Sequence, residues 1–552
     1  MSSRFSKLLR ENTLILEHAE LVPPDDLDKP KHQVFYLPMH AVYKESTTTK
    51  VRAVFDASAI SSTGVSLNDT LLVGPTIHPP LIDVILRFRL HRVGLTADIS
   101  KMYRAIELTK NDRDLHRFVW RSSQGDMLKD YRMTRITFGV SASSFAANMS
   151  VKQNAIDYAH DYPIATKAVE ESFYVDDALT GADSIEEAIC LQKQLQDLLS
   201  CGKFLLRKWN CSDPAVLDTI PFELRDKHEV QSITNSQGKT KTTQSDQFNL
   251  TIADLPSLES VTKRALASDL AKTLDVLGWF APTTIQAKVL LQRLWERKVD
   301  WDDLVPDDVK QAWLQWRREL PLLSSKSIDR YYYPKDTQTK SIQIHGFCDA
   351  SEIAYAGVVY IRMTDTQDNT HVSLVMAKTK VAPIKRQTIP RLELCGAHLL
   401  AKLLRHVKEI FNVPMHDTFA WTDSTIVLCW LNGNPRRFKT FVGNRISFIM
   451  DQISPDRWSH FSSSDNPADC ASRGLFPSEL LEYKLWWNGP SWLLSHPGQW
   501  PNQFKISSEQ FPEEEREICL ALTVQSTAPL IPLDQYSTFT RLKRVTAWIF
   551  RF

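Results

Sequence analysis

Two neighbouring carboxylates end an apolar β-type run, and they are the residues of this chain best placed to do chemistry. Tyr174 and Val175 lead into Asp176 and Asp177, and a stretch of small residues follows up to Gly181. A strand cannot bury two adjacent acids, because one on each face would stay unpaired in the core. At a hairpin tip the same pair can hold Mg²⁺ for phosphoryl chemistry; an ordinary Asp-rich turn is the alternative interpretation.

A second strand supplies a third acid. Residues 93–97 form a short apolar run that leads into Asp98, and Tyr103 follows just past a predicted turn. Two divalent cations about 3.5–4 Å apart can activate a hydroxyl nucleophile and stabilise a leaving pyrophosphate, provided that carboxylates converge from separate strands. Asp98, Asp176 and Asp177 together could supply such a set.

Four further acids occur in the order strand, helix, strand, helix start: Asp349, Glu393, Asp423 and Asp469. This alternation can bring four carboxylates to one end of a mixed sheet, where two Mg²⁺ would suit hydrolysis of a phosphodiester by a metal-bound water. Taken singly, Glu393 would be a partner in a helix salt bridge. Asp423 and Asp469 would be helix N-caps, or both caps and ligands.

Composition sets limits on the chain that must position these residues. At 552 residues, with 43% hydrophobic and 24% charged residues, the chain predicts about three or four globular domains of ~150 residues. The formal net charge of +1 argues mildly against a nucleic-acid role, so any basic surface must be local. Eight cysteines without a CxxC pair, no signal peptide and no long apolar run predict a soluble intracellular protein with free thiols.

The periodicity predicts the following elements. An amphipathic helix opens residues 1–30, short strands and helices alternate over 33–215, and a helix at 184–200 begins with the capping box Ser184 to Glu187. Residues 227–248 are predicted to be a mobile polar loop, and 258–325 to be helical. From about residue 340 a second α/β pattern begins, with Pro390 in the first turn of a long helix.

Basic and aromatic segments leave two interpretations open. The stretch NPRRFK (434–439) and the arginines Arg87, Arg89 and Arg92 are either nucleic-acid contacts or solvated faces. The Trp-rich stretch 486–500 either stacks on bases or packs in the interior.

Several phrases occur in an order that resembles the polymerase regions of Bel/Pao-type LTR retrotransposons, a branch of the reverse transcriptases. They are FYLPMHAVYK (35–44), TKVRAVFDASA (49–59), SLNDTLLVGP (66–75), ILRFR (85–89) and FGVSASSFAANMS (138–150), whereas PRLEL (390–394) and NPAD (466–469) resemble phrases of the RNase H domain of retroelements. The resemblance covers nearly the whole chain. It departs from retroviral polymerases at Phe138, where they carry Gln before the Gly of this motif, and from the branch at Ser144, where a Pro is usual.

The resemblance implies roles for polymerase residues. Asp98 would be the first catalytic acid, with Asp176 and Asp177 as the second motif. The other residues matched to the family are Tyr103 as the aromatic that crowds the sugar 2′ position, Arg52 and more weakly Lys50 as triphosphate contacts, Gly139 in the substrate loop and Lys208 as a general acid near the leaving group. Taken alone, Arg52 and Lys208 would be surface charges and Tyr103 a core residue.

The second acid set, Asp349, Glu393, Asp423 and Asp469, resembles the RNase H site of retroelements. The implied fold class is a multidomain protein of α+β and α/β type. Its parts would be reverse-transcriptase fingers and palm (1–215), a helical thumb or connection (216–335), an RNase H-like mixed sheet with helices (336–475), and a Trp/Pro-rich segment (476–552) preceding a missing integrase.

The implied function is an RNA-directed DNA polymerase with associated RNase H. It would use two Mg²⁺ or Mn²⁺ per active site and act on an RNA template, a DNA primer, dNTPs and an RNA–DNA hybrid. It would work in the cytoplasm, inside virus-like particles or with nuclear access, alongside other Pol and Gag products and without a membrane. The alternative is an inactive or co-opted retroelement remnant that binds nucleic acid or protein without catalysis.

Overall fold

The structure, a computed structural model, describes residues 18–43, 51–121, 125–226, 231–233, 239–242, 246–252, 255, 260–333, 337–501, 514 and 536–549. Within these ranges every helix is too short or too polar to cross a lipid bilayer. The predicted helix at the start of the chain falls largely outside the described residues.

The strands follow one another in short pieces at first and in long pieces later. In chain order they are β1 (Ala19–Leu21), β2 (Met39–Tyr43), β3 (Val51–Phe55), β4 (Val93–Ile99), β5 (Arg117–Trp120), β6 (Lys129–Met133), β7 (Phe173–Tyr174), β8 (Asp177–Ala182), β9 (Leu206–Cys211), β10 (Gln231–Ile233), β11 (Lys239–Thr242), β12 (Gln247–Thr251), β13 (Ser327–Asp329), β14 (Thr339–Ala350), β15 (Ala354–Asp365), β16 (Thr370–Val381), β17 (Thr418–Thr422) and β18 (Trp458–His460).

The α-helices are α1 (Pro24–Leu27), α2 (Leu67–Thr70), α3 (Leu81–Phe88), α4 (Met102–Ala105), α5 (Ser143–Asp157), α6 (Pro163–Ser172), α7 (Ile185–Cys201), α8 (Pro214–Asp218), α9 (Lys263–Lys272), α10 (Ala281–Glu296), α11 (Asp307–Glu319), α12 (Ile389–Phe411), α13 (Thr425–Leu431), α14 (Thr440–Gln452), α15 (Asp469–Arg473), α16 (Pro477–Glu482), α17 (Lys484–Asn488) and α18 (Phe539–Ile549). The helices predicted at 184–200 and from Pro390 are confirmed. The Ser184 side chain accepts from the Glu187 N–H at 3.1 Å, whereas Glu187 reaches one residue further back, to the N–H of Asp183.

An antiparallel four-stranded sheet with the order β7-β8-β4-β9 lies at the centre of the amino-terminal half. Helices α5, α6 and α7 share one hydrophobic core with it, including Leu95, Phe173 and Leu195. A smaller core around Phe55 and Phe118 joins the sheet β1-β6-β5 to the hairpin β2-β3. Central strand β4 is therefore buried along most of its length, and only its end opens to solvent.

The region 227–248, predicted as a mobile polar loop, contains β-strands among its described residues. Strands β10, β11 and β12 form an antiparallel sheet that continues to β13. The prediction was wrong because β11, Lys239–Thr242, consists of alternating Lys and Thr. Its sequence has the β-branched residues that favour a strand but lacks the apolar alternation by which a strand is usually identified. Helices α9 to α11 follow, as predicted for 258–325.

The carboxyl-terminal half contains a mixed five-stranded sheet with the order β16-β15-β14-β17-β18. Strands β14, β15 and β16 form an antiparallel meander, and β17 and β18 add in parallel. Helix α12 packs on one face, where Gly357 leaves room for the backbone of Leu400. On the interior side Trp486 is fully buried and donates to the Trp279 carbonyl at 2.7 Å, which favours the packing interpretation of the Trp-rich stretch.

Arg89 connects the two halves of the molecule from inside the core. Its side chain is 1% exposed and donates to the carbonyls of Asp329 at 3.0 Å and Leu374 at 3.2 Å. The guanidinium lies 3.8 Å from the centroid of the Tyr332 ring. Both sequence interpretations of Arg89, a solvated face and a nucleic-acid contact, were wrong, because carbonyl groups and an aromatic ring replace water around this charge.

A buried ion network organises the sheet β1-β6-β5. Asp114, whose side chain is 2% exposed, pairs with Arg117 at 2.8 Å, Arg132 at 3.0 Å and Lys29 at 2.6 Å. Burial alone would raise the pKa of Asp114, but hydrogen bonds from Lys29, Arg132 and Arg117 outweigh it and lower the pKa to about 2. The ionised carboxylate therefore belongs to the folded state.

We expect Asp114→Asn to destabilise the protein at pH 7, because it leaves buried arginines without their counter-charge, at a cost of about 3–5 kcal/mol. A lowered pKa stabilises above the unfolded value of ~3.9, and this stabilisation is lost as pH falls towards 2. Urea unfolding of both proteins should show the difference in the free energy of unfolding shrinking between pH 4 and pH 2. The exposed Asp157→Asn is the control; a difference independent of pH would contradict the assignment.

Candidate active sites

The first candidate site is built on a strained two-residue turn. Val175 and Asp176 connect β7 to β8, with Tyr174 paired to Asp177 across the hairpin. Val175 has a φ of +58°, a conformation that a β-branched residue adopts only at a cost of about 1–3 kcal/mol. Gly is the usual residue at such a position in tight hairpins. Strained backbone is concentrated at functional sites, and here the strained residue directly precedes two acids.

The sheet register brings the third acid to this turn. Asp98 on β4 lies directly opposite Asp177 on β8. The N–H of Ile99 donates to the Asp176 carbonyl at 2.8 Å, so that β4 also contacts the turn itself. Asp98 and Asp176, although 78 positions apart in sequence, are thus backbone neighbours at one end of the sheet. The structure brings together the three acids predicted for the first site.

These three carboxylates repel one another. Burial and the charges of Asp176 and Asp98 together raise the pKa of Asp177 to about 7, against the opposing effect of Lys208. Such crowding of like charge in a half-buried cleft destabilises the ionised state unless a cation is close. The site therefore has the electrostatic character of a cation-binding site.

Lys208 reaches this cleft because of a β-bulge. The pairing of β4 with β9 shifts register between Thr96 and Asp98, and Lys208 adopts a φ of +54° at this point. Bulges re-aim a side chain next to many active sites. The Lys208 ammonium lies 2.7 Å from the Asp98 carboxylate, and half of the lysine side chain is exposed to solvent. Lys208 is therefore partly solvated, as expected for a surface charge, but it also forms an ion pair with an acid of the site.

Two aromatic rings, of Tyr103 and Phe138, pack against each other. Tyr103 is in α4, which begins after Lys101 with its φ of +53°, and its ring centroid is 4.6 Å from that of Phe138. Phe138 is 40% exposed. In the sequence Phe138 was identified only as a departure from the retroviral pattern and was not assigned to the site. Its position directly before Gly139 was the available signal.

Gly139 has a steric reason to be glycine. Its φ is +95°, and a Cβ atom would lie 1.8 Å from the carbonyl oxygen of Phe55, at the end of β3. Arg52 lies on the same strand, opposite Val42 of β2. The loop that contains Gly139 is thus held against the strand that contains Arg52. Lys50 lies outside the described residues, and the triphosphate roles of Arg52 and Lys50 stay predictions.

The second candidate site lies at the ends of two parallel strands. Cys348 of β14 pairs with Thr422 of β17, so the next residues, Asp349 near the end of β14 and Asp423 just past the end of β17, lie side by side. The side chain of Asn466 donates to the Cys348 carbonyl at 3.1 Å and fixes the segment that leads into α15. Asp469, the first residue of α15, is thereby brought to the same end of the sheet.

Three of the four acids have a fixed partner. Ser424 donates to the Glu393 carboxylate at 2.6 Å, Ser472 donates to that of Asp349, and Arg473 donates to that of Asp469 at 2.6 Å. The N-caps of α13 and α15 are Ser424 and Ala468. The interpretation of Asp423 and Asp469 as caps was therefore wrong, since neighbouring residues take that position. The serines and Arg473 were not identified from the sequence, because they become partners only in the folded chain.

Burial and like charges also dominate this site. Burial, together with the charges of Asp423 and Asp469, raises the pKa of Asp349 to about 7, although the hydrogen bond from Ser472 opposes this shift. Burial likewise raises the pKa of Glu393, which also feels the charge of Asp423. The four predicted acids are thus electrostatically coupled at one end of the sheet.

Both sites have the donor chemistry that divalent cations prefer, namely several carboxylate oxygens in a crowded, partly dry cleft. Among the described residues, however, no three His, Cys, Asp or Glu side chains are already arranged to hold an ion. Lys208, Ser424, Ser472 and Arg473 each hold a carboxylate instead. The acids fit a cation by chemistry and charge, and side-chain rotation away from these partners would be needed to bind one.

Comparison with known families gives one match. Residues 262–424 match the family described as the Pao retrotransposon-like RNaseH-like domain. This range runs across residue 335, where the sequence analysis placed a domain boundary, and one hydrophobic core extends from Leu266 to Trp421. The predicted domain boundaries stay predictions. A search of curated proteins found no match.

Solved structures with a similar fold come from foamy virus. The foamy viral protease-reverse transcriptase dRH in complex with double-stranded DNA has a TM-score of 0.53 at 14% identity, covering 82% of this chain and 68% of that one. The same protease-reverse transcriptase in complex with an RNA/DNA hybrid has a TM-score of 0.52 at 14% identity, covering 84% and 54%. A further complex with dsDNA has a TM-score of 0.50 at 15% identity, covering 82% and 81%.

At these identities the likeness concerns the fold alone, and this chain spans about half the length of the hybrid-bound foamy viral chain. The fold class is confirmed as mixed α/β and multidomain, like that of a retroviral reverse transcriptase with RNase H. Residues 262–424 are similar to a Pao retrotransposon-like RNaseH-like domain, and together with the similar fold of the foamy viral proteins this supports the resemblance to the Pol regions of Pao/Bel-type retroelements.

Proposed function

We propose that this protein is an RNA-directed DNA polymerase with an associated RNase H activity. The observation that carries the proposal is the register of β4 and β8, which sets Asp98 opposite Asp177 beside the strained turn at Asp176. The separate convergence of Asp349 and Asp423 at the ends of β14 and β17 supports a second, hydrolytic site. The similar foamy viral proteins were solved with dsDNA and with an RNA/DNA hybrid.

At the first site the three acids would hold the divalent cations, two Mg²⁺ or Mn²⁺. When bound, the cations would activate the primer 3′-OH and stabilise the charge on the leaving pyrophosphate. Lys208, now 2.7 Å from Asp98, would be released by the cation and would donate a proton to the leaving group. Arg52, and more weakly Lys50, would contact the triphosphate of a dNTP.

The chain's own residues orient the substrates in this proposal. The Tyr103 and Phe138 rings, 4.6 Å apart, would form the wall against the sugar of the incoming nucleotide. Gly139, held against the Phe55 carbonyl, would keep the neighbouring loop close to the base pair. An RNA template and a DNA primer are the expected partners, and other Pol or Gag products are further ones.

At the second site Asp349, Glu393, Asp423 and Asp469 would hold the cations for hydrolysis of the RNA strand of a hybrid. Ser424 and Ser472 position the carboxylates of Glu393 and Asp349 through their hydroxyl donors. Arg473 neutralises part of the charge on Asp469. Because the two acid clusters lie on different sheets, we expect two activities that can be lost separately.

Asp176→Asn should reduce DNA synthesis to background and spare cleavage of RNA in a hybrid, and Asp349→Asn should do the reverse. Each change removes a negative charge from one cation site only. Primer extension on an RNA template and cleavage of a labelled hybrid, both with Mg²⁺, measure the two activities in each variant. Absence of both activities in the folded wild-type protein would favour a non-catalytic retroelement remnant.

Tyr103→Ala should relax discrimination against ribonucleotides by roughly 10–100-fold, the range that loss of packed volume in a pocket supports. The ring would no longer exclude a 2′-OH, because the wall formed with Phe138 would be opened. The measurement is the ratio of kcat/KM for dNTP and rNTP in primer extension. Tyr162→Ala, remote from the acids, is the control; an unchanged ratio in Tyr103→Ala would assign the ring to packing only.

Mg²⁺ should raise the melting temperature of the full chain relative to chelator at pH 8, since it binds the folded acid clusters. A ligand that binds only the folded state adds about 2.7 kcal/mol to the free energy of unfolding when its concentration is ~100 times Kd. Asp349→Asn should melt higher than wild type in chelator, because one repelling charge is gone, and should gain less from Mg²⁺. Calorimetry with Asp157→Asn as control measures both effects, and equal Mg²⁺ shifts in all three proteins would exclude a cation site at Asp349.

A further inference from the structure

A cluster of cations lies on the outer side of the five-stranded sheet, away from both acid clusters. We call it the basic surface and define it by Lys378 and Lys380 of β16, Lys402 and Arg405 of α12, and Arg445 of α14. Both lysines of β16 are exposed, as are Lys402 and Arg405. The cluster was not identified from the sequence, because its members come from three elements.

The register explains why these elements share one face. Lys378 pairs with Gly357, and a Cβ atom on Gly357 would lie 3.3 Å from Leu400 Cα, so α12 covers this face of the sheet. Lys380 lies two residues on and points to the same side. The edge strand therefore places both lysines along the flank of α12, which presents Lys402.

Aromatic rings lie among these cations. The Lys402 ammonium is 5.2 Å from the centroid of the Phe448 ring, and His398 packs edge-on against the same ring at 4.7 Å. The Arg445 guanidinium lies 3.6 Å from the centroid of Phe441 and donates to its carbonyl at 2.9 Å. These contacts fix the positive charges in place without neutralising them.

The charges lack acidic partners. Among the described residues, Lys378, Lys380, Lys402 and Arg445 form no ion pair, and Arg405 has only Glu409 at 3.8 Å. Burial lowers the pKa of Lys402, and the charges of Lys380, Arg405, Arg445 and Lys378 lower it further. Because the whole chain carries a net charge of only +1, this concentration of unpaired cations is a local departure from its overall balance.

The basic surface lies on the opposite face of the sheet from Asp349. Asp349 pairs with Ala356, and Ala356 pairs with Thr379, the residue between the two lysines of β16. Two strand spacings of about 4.8 Å separate the acid strand from the edge strand, a distance of roughly 10 Å. On α12, Lys402 is nine residues beyond Glu393, about 14 Å along the helix axis and on its other side.

We propose that the basic surface binds the sugar–phosphate backbone of a nucleic-acid strand, independently of sequence. The proposal rests on the proposed function, because the strand would be part of the RNA–DNA hybrid on which the second acid cluster acts. Flexible lysines on an exposed edge strand suit a line of phosphates, and their mutual repulsion is relieved when phosphates replace bound counterions. An acidic protein is the competing occupant, and the test separates the two.

The test uses the full chain and a fluorescent RNA–DNA hybrid, with chelator present so that no cleavage occurs. Lys378→Gln/Lys380→Gln/Lys402→Gln should weaken binding by at least about tenfold at 0.1 M salt. The slope of the logarithm of the association constant against the logarithm of the salt concentration should become less negative by about two to three. Each of the three lost phosphate contacts accounts for ~0.9 of this slope. The matched control, Lys167→Gln/Lys193→Gln/Lys484→Gln, removes the same charge from exposed positions elsewhere and should keep the wild-type slope.

The triple Lys→Arg variant at positions 378, 380 and 402 should keep wild-type binding, and melting curves check that each variant is folded. Equal slopes for the Gln variant and wild type, or an equal loss in the control, would overturn the proposal. So would tighter binding of a fluorescent polyglutamate than of the hybrid, because it would indicate an acidic protein partner. If wild type fails to bind the hybrid at all, the proposed function itself fails, which is distinguishable from loss confined to the Gln variant.

Discussion

A single buried ion pair, Arg330 with Asp246, fixes the strand that carries the first acid. The Arg330 side chain is fully buried and donates to the Asp246 carboxylate at 2.6 and 2.9 Å. Its remaining donors reach the carbonyls of Phe88 at 2.8 Å and of His91 at 2.6 Å, at the point where α3 ends and β4 is about to begin. A cation at the carboxyl end of a helix is favourable, and here it also satisfies carbonyls that would otherwise be orphaned in the core. Buried charge of this kind is tolerated only when all its donors are used, so the geometry around Arg330 leaves little freedom.

The position of Asp98 follows from this constraint. Gly94, early in β4, has no room for a side chain, because a Cβ atom would lie 2.8 Å from the Arg330 guanidinium. Gly181 of the neighbouring strand is equally restricted by the Val93 carbonyl, at 2.3 Å. With the start of β4 fixed in this way, its register with β8 carries through to Asp98 and Asp177 at the other end. The strained turn at Val175 is held in its conformation by the same pairing, since the hairpin cannot relax without losing the register.

The sequence predicted the type of most elements, because apolar runs that end in a carboxylate leave a local pattern, and the catalytic roles of the acids stay predictions. It did not predict what holds the acids. The bulge that turns Lys208 toward Asp98, the contact of Tyr103 with Phe138, and the hydroxyl of Ser472 on Asp349 all depend on pairings between distant segments. The prediction for Arg89 was wrong for a related reason. A charged residue is expected at the surface unless buried groups accept its hydrogen bonds, and the accepting carbonyls belong to residues far along the chain.

Charge in this protein is segregated by location, although it nearly cancels over the chain. Carboxylates are concentrated at the ends of β4 and β14, where burial and repulsion raise the pKa of Asp177 and of Asp349 to about 7. Unpaired cations are concentrated at the flank of α12, where the same repulsion acts with opposite sign on Lys402. Both arrangements cost stability in the isolated chain, and neither contributes to a hydrophobic core. Net charge is therefore a poor guide to the local electrostatics of this chain, because separate clusters of like charge create strong local fields that a sum over residues hides.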